Sequence, residues 1–184
     1  MENRKRLIEA YGQMVEERVS MGWHPWLLTF TYKPLGGSPA MVVSRMRDEI
    51  ERTYATVATR VVRRPNSPSQ FETLPIWICS PDYPVYKRDK GSFRDNAVND
   101  GLHFHGIGLM PPVSRMSESL EDHIDNFQTM YSGAHRDLFR VHVQAIEDEA
   151  AEVAGYALKG IDNPRINPDD VLILPRTRSE MPRG

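Results

Sequence analysis

Two histidines, His103 and His105, stand one residue apart in the run Leu102-His-Phe-His-Gly106. In an extended run, residues i and i+2 project from one face, so both imidazoles point the same way. Two neutral imidazoles side by side can chelate a divalent cation or polarise a phosphate. Phe104 then points into an apolar layer, and Gly106 admits a close neighbour. The spacing alone is a weak signal, because a polar strand face also accommodates such a pair. His142 lies on another alternating run without a second histidine two residues away, and is read as structural.

A second pair is Tyr156 and Lys159, in Gly155-Tyr-Ala-Leu-Lys-Gly160. Three residues apart, they share a face if the segment is helical. A tyrosine hydroxyl, with an ordinary pKa near 10, is a poor nucleophile at neutral pH. To attack phosphorus it needs a neighbouring cation and a polarised electrophile. Tyrosine and lysine at this spacing also occur on many amphipathic helices.

The elements that must carry these residues follow from periodicity. Apolar positions at helical spacing predict a helix over 4–21, stopped by Gly22. The run from Trp26 to Tyr32 reads as a strand, closed by Lys33-Pro-Leu-Gly-Gly37. Ser38 and Pro39 open a helix reaching Val61 or Val62. Strands are predicted over 73–80, 102–110 and 138–146, with helices over 117–130 and 147–158. Residues 81–101 form a polar excursion, and a long loop in a compact domain is often functional. Of the residues beyond Asp162, only Val171 to Leu174 reads as ordered, as an edge strand. The order β-α-β-β-α-β, preceded by one helix and followed by the tyrosine-bearing helix, predicts an α+β fold. Its expected form is ferredoxin-like, a mainly antiparallel sheet with helices packed on it. One domain is expected over 1–162, with an N-terminal helix (1–22) and a core (26–160), then a proline-rich tail over 163–184.

At 184 residues, 40% hydrophobic and 26% charged, the chain suits one globular domain able to bury its own core. No apolar run approaches the roughly 20 residues that span a bilayer, and the N-terminal stretch lacks the apolar centre of a secretory signal. No membrane partner is expected. The lone cysteine, Cys79, excludes an intramolecular disulfide or a cysteine metal cluster and fits a cytoplasmic location. A net charge of −2 argues against a protein that coats nucleic acid unspecifically. Local cationic clusters are still present at Arg60, Arg63 and Arg64, and at Lys87, Arg88, Lys90 and Arg94.

Taken in order, these segments resemble the replication-initiator branch of the HUH endonucleases. Leu27-Leu-Thr-Phe-Thr31 is similar to the family's first-strand motif, Leu102-His-Phe-His-Gly106 to its paired-histidine strand, and Gly155-Tyr-Ala-Leu-Lys-Gly160 to its tyrosine helix. The resemblance spans Trp26 to Gly160, and one tyrosine on the last helix places it with the single-tyrosine rolling-circle initiators. It implies that Tyr156 attacks single-stranded DNA to leave a 3′-hydroxyl and a 5′-phosphotyrosine link, reversibly, with Lys159 offsetting negative charge. His103 and His105 would hold Mg²⁺ or Mn²⁺ with a third ligand from a neighbouring strand. The predicted strand over 73–80 holds no carboxylate; Glu72 and Asp82 flank it and both stay open, with Asp82 taken as the third ligand. Thr29 and Thr31 are expected at the DNA. In the polar excursion Tyr86, Lys87 and Arg88 combine stacking and cationic groups suited to a single strand, as do Tyr83 and Phe93. Trp23 and Trp26 are assigned to the core. The implied partner is single-stranded DNA with a hairpin origin. With no G-x-x-x-x-G-K-[ST] loop in the chain, unwinding would fall to a host helicase. Two other readings compete: a catalytically degenerate relative that binds origin DNA as a repressor, and a non-enzymatic nucleic-acid-binding module, which would ignore metal and tolerate loss of Tyr156.

Overall fold

Glu2–Ser20 forms α1, and Gly22 turns the chain out of it at φ 85°, a left-handed conformation that glycine adopts without a Cβ penalty. The computed structural model describes residues 2–83, 98–163 and 166–176. β1 (His24–Tyr32) follows, and then α2 (Pro39–Val61), which begins where the Ser38 hydroxyl accepts from the Met41 amide. β2 spans Ile76–Asp82 rather than 73–80, because Pro68–Thr73 coils into a 3₁₀ turn and delays the strand. β3 covers His103–Met110.

The single helix predicted over 117–130 is two. α3 (Leu120–Asn126) is capped by Ser119, and α4 (Gln128–Ser132) starts anew after Phe127, whose φ of −115° breaks the helix. His123 bridges the break, with Nδ1 2.7 Å from the Glu118 carboxylate and Nε2 2.9 Å from the Tyr131 hydroxyl. After β4 (Leu138–Ala145), the Ile146 amide donates to Pro25 and Glu149 takes a left-handed conformation, so α5 covers only Ala150–Ala157. Lys159 therefore lies in a separate 3₁₀ turn, Lys159–Asp162. β5 is Leu172–Leu174.

The five strands form one sheet in the order β4-β1-β3-β2-β5, every neighbouring pair antiparallel. Each β-α-β connection skips one strand: β3 lies between β1 and β2, and β1 between β3 and β4. Leu28, Phe30, Phe104 and Trp77 pack from one face against Met46, Ile50 and Val57 of α2 and Leu120 and Ile124 of α3. The opposite face buries Ile107 and Leu109 under Val15 of α1 and Ala154 and Ala157 of α5, and Ile78 under Leu158 and Ile161. That cover reaches only part of the second face. Farther along the same strands the side chains turn polar, and the candidate site lies there. Among the described residues no helix is long and apolar enough to cross a membrane.

Candidate metal and tyrosine site

His103 and His105 occupy the start of β3, the middle strand of the sheet. Antiparallel register sets Thr29 of β1 and Ser80 of β2 opposite His105, and Asp82 opposite His103. Directly opposed residues share a face, so Asp82 joins the histidines by register. Sequence reasoning left Asp82 outside the strand; the shifted start of β2 brings it in. Glu72 lies in the 3₁₀ turn before β2, at the opposite end of that strand, and cannot join them. One donor atom from each of Asp82, His103 and His105 lies within 4.8 Å of the others.

The ring nitrogens divide the labour. His103 Nδ1 lies 2.8 Å from the Gly101 carbonyl, which only accepts, so Nδ1 carries a hydrogen and, in the neutral ring, Nε2 keeps its lone pair. His105 Nδ1 meets the Thr29 hydroxyl at 3.0 Å, a group able to donate or accept. The two Nε2 atoms face each other at 2.9 Å. Two arrangements satisfy the contact: a neutral His105 donates its Nε2 hydrogen to His103, with Thr29 donating to Nδ1, or a metal ion takes both Nε2 lone pairs, with Thr29 accepting. Two nitrogens at right angles around an ion, each about 2.1 Å from it, would be about 3 Å apart. The donor set thus fits a divalent cation. Outward Nδ1 contacts of this kind fix the tautomer and ring orientation of metal-ligating histidines.

Burial, with the positive fields of His103 and Lys159 behind it, lowers the His105 imidazole from 6.5 to about 4, so it stays neutral and able to ligate at neutral pH. Burial raises the Asp82 carboxyl; His103, Lys159 and the Tyr83 amide pull the other way without cancelling it.

Tyr156 and Lys159 reach this site from the α5 side. The Lys159 Nζ lies 3.9 Å from the centroid of the Tyr156 ring and 4.0 Å from Asp82 Oδ2. Tyr156 itself is 57% exposed, a phenol on the surface rather than a core tyrosine. What presses the turn after α5 onto β2 is Gly160. A Cβ on Gly160 would stand 2.3 Å from the Pro81 carbonyl oxygen. The N-terminal helix holds the same turn from the other side, because the Arg4 guanidinium donates to the carbonyls of Ile161, Asn163 and Ile166 at 2.9 to 3.2 Å.

The structure therefore brings together Thr29, Asp82, His103, His105, Tyr156 and Lys159. Thr31 lies on the same face, its hydroxyl donating to the Arg140 carbonyl at 3.4 Å. Tyr86, Lys87, Arg88 and Phe93 lie outside the described residues. Tyr83 is partly buried against the larger core, and Trp23 is buried, with the Arg18 guanidinium 5.2 Å from its ring centroid. His142, read as structural from the sequence, is exposed on β4, opposite Thr29 and in the row of His105. The sequence pattern did not mark Arg4 or Gly160 for the contacts they make here. The alternation Arg140, His142, Gln144 against Val141, Val143 signalled a shared face, but which face required the register. No protein-family model, curated protein or solved structure matches the chain.

Proposed function

We propose that the protein nicks and rejoins single-stranded DNA through a phosphotyrosine link at Tyr156, as its resemblance to HUH replication initiators implies. The observation that carries the reading is the facing pair of Nε2 atoms at 2.9 Å, with Asp82 alongside and Lys159 between Asp82 and Tyr156. Asp82, His103 and His105 would hold the cation; the two imidazoles favour Mn²⁺ over the oxygen-seeking Mg²⁺. When bound, such an ion polarises the scissile phosphate and holds it in place. Tyr156 Oη forms the bond to phosphorus as the bond to the 3′-oxygen breaks; the phenol proton passes to solvent and the departing oxygen takes one up. Lys159 opposes the negative charge that collects during the step. The phosphodiester is exchanged rather than hydrolysed, so the 3′-hydroxyl can reverse it. This chemistry suits initiation of rolling-circle replication on a mobile element, at a hairpin origin, with unwinding by a host helicase.

The test is a denaturing gel with labelled single-stranded DNA from the protein's own replicon. A denaturant-resistant protein–DNA band is expected with Mn²⁺, lost with chelator, lost in Tyr156→Phe, and lost in the double variant His103→Ala, His105→Ala. DNA binding without any such band would leave a non-cutting origin-binding protein as the reading.

A further inference from the structure

We propose that the edge strand β4 is the track along which the single strand enters the site, with Phe139 stacking an unpaired base and Arg140 and His142 holding the backbone. The proposal rests on the nicking reading and adds to it the residues that receive the substrate. Arg140 lies opposite Thr31, and His142 lies opposite Thr29, which in turn lies opposite His105. His142 is therefore two strands, roughly 10 Å, from His105 on the same face. Both residues are exposed, and no described residue pairs with the Arg140 guanidinium or the His142 ring.

Phe139 argues against the simplest other explanation. Edge strands carry charge to prevent edge-to-edge pairing, and Arg140 alone would fit that role. An edge built only for protection does not also display a large apolar side chain, yet Phe139 is 63% exposed. A register shift between Thr31 and Tyr32 frees it: the chain buries Leu138 and Val141 with two residues between them instead of one. An exposed ring beside unpaired cationic and imidazole groups is the combination that binds single strands, rings stacking bases and cations following phosphates.

The track also leads to the nucleophile. Gln144, next on this face of β4, lines a groove of about 450 Å³ whose other wall includes Tyr156. Glu147, Asp148, Glu149 and Glu152 line the same groove and disfavour a phosphate chain there, which leaves the Arg140 end of β4 as the favourable entry.

The test uses the Tyr156→Phe protein, expected to bind without cutting, and fluorescence anisotropy of a labelled oligothymidylate across a salt series. Phe139→Ala is expected to weaken binding about 5- to 150-fold. Arg140→Gln is expected to reduce the slope of log affinity against log salt by about 0.7, one phosphate contact. Unchanged affinity and slope in both variants, with circular dichroism intact, would overturn the track; so would self-association with unchanged binding. Repeating the substitutions with Tyr156 present separates the two ideas. If the wild-type chain forms no covalent adduct yet the β4 variants lose the oligonucleotide, the track stands and the nicking reading falls. If the variants form adduct as the wild type does, with unchanged affinity, the track alone falls.

Discussion

His105 owes its chemistry to what surrounds it. Burial first, then the charges of His103 and Lys159, hold its imidazole down at about 4 where a free histidine titrates near 6.5. A base whose folded pKa lies below its unfolded one leaves the unfolded chain binding more protons in the interval between them. Its contribution to stability is therefore complete above about 6.5 and lost as pH falls toward 4. In chelator, the stability of the wild type relative to His105→Gln should be flat near neutrality and decline through mildly acidic pH, read as the urea midpoint of each at a series of pH values. A difference that does not change with pH would mean that His105 is solvated rather than held between its neighbours. Manganese should push the decline to lower pH, since a bound cation keeps the imidazole unprotonated.

Between residue and fold, the decisive contact is one turn against one strand. Gly160 lies where a Cβ would meet the Pro81 carbonyl at 2.3 Å and the Asp82 Cα at 3.4 Å, backbone atoms with little freedom to yield. Gly160→Ala should lift the Lys159–Asp162 turn from β2, carrying Lys159 away from Asp82, and cost about 1–3 kcal/mol as overpacking does. Urea unfolding should show that loss together with a fall in adduct yield; unchanged stability and yield would show the close approach to be dispensable. Nothing in the sequence pattern marks Gly160 for this, since a glycine there also reads as an ordinary helix stop. The elements with local signals were legible: Ser38-Pro39 starts α2, Gly22 ends α1, and alternation marks β1, β3 and β4. β2 was not, because Thr73 and Leu74 look like strand residues while Pro68 coils them into a turn, and Pro81 looks like a terminator. β5 covers only Trp77, Ile78 and Cys79, so β2 is an edge by Pro81, where a proline is tolerated. Asp82 beside the histidines, and His142 on their face, follow from register, which no single strand encodes.

Across the whole molecule, α1 and α5 meet on the tyrosine side of the sheet. α1 packs closely on α5, with the Gly12 Cβ position only 3.5 Å from the Ala151 carbonyl oxygen, and Val15 of α1 shares a buried cluster with Ala154 and Ala157. Arg4, near the start of α1, donates to three carbonyls just beyond Lys159. The sheet fixes the histidines; α1 fixes the tyrosine and lysine, so the two halves of the site hang on different parts of the fold. Elements held by few contacts open locally at a lower free energy than the core. Arg4→Ala should accordingly speed amide hydrogen exchange from Leu158 to Asn163 while leaving the amides of β1 and β3 as slow as before. On the proposed function, metal affinity should hold and adduct formation should slow, because Asp82, His103 and His105 stay in place while the helix of Tyr156 loosens. Exchange that rose equally in β1 and β3 would instead make Arg4 a support of the whole domain, and unchanged exchange at Leu158 to Asn163 would remove α1 from the site.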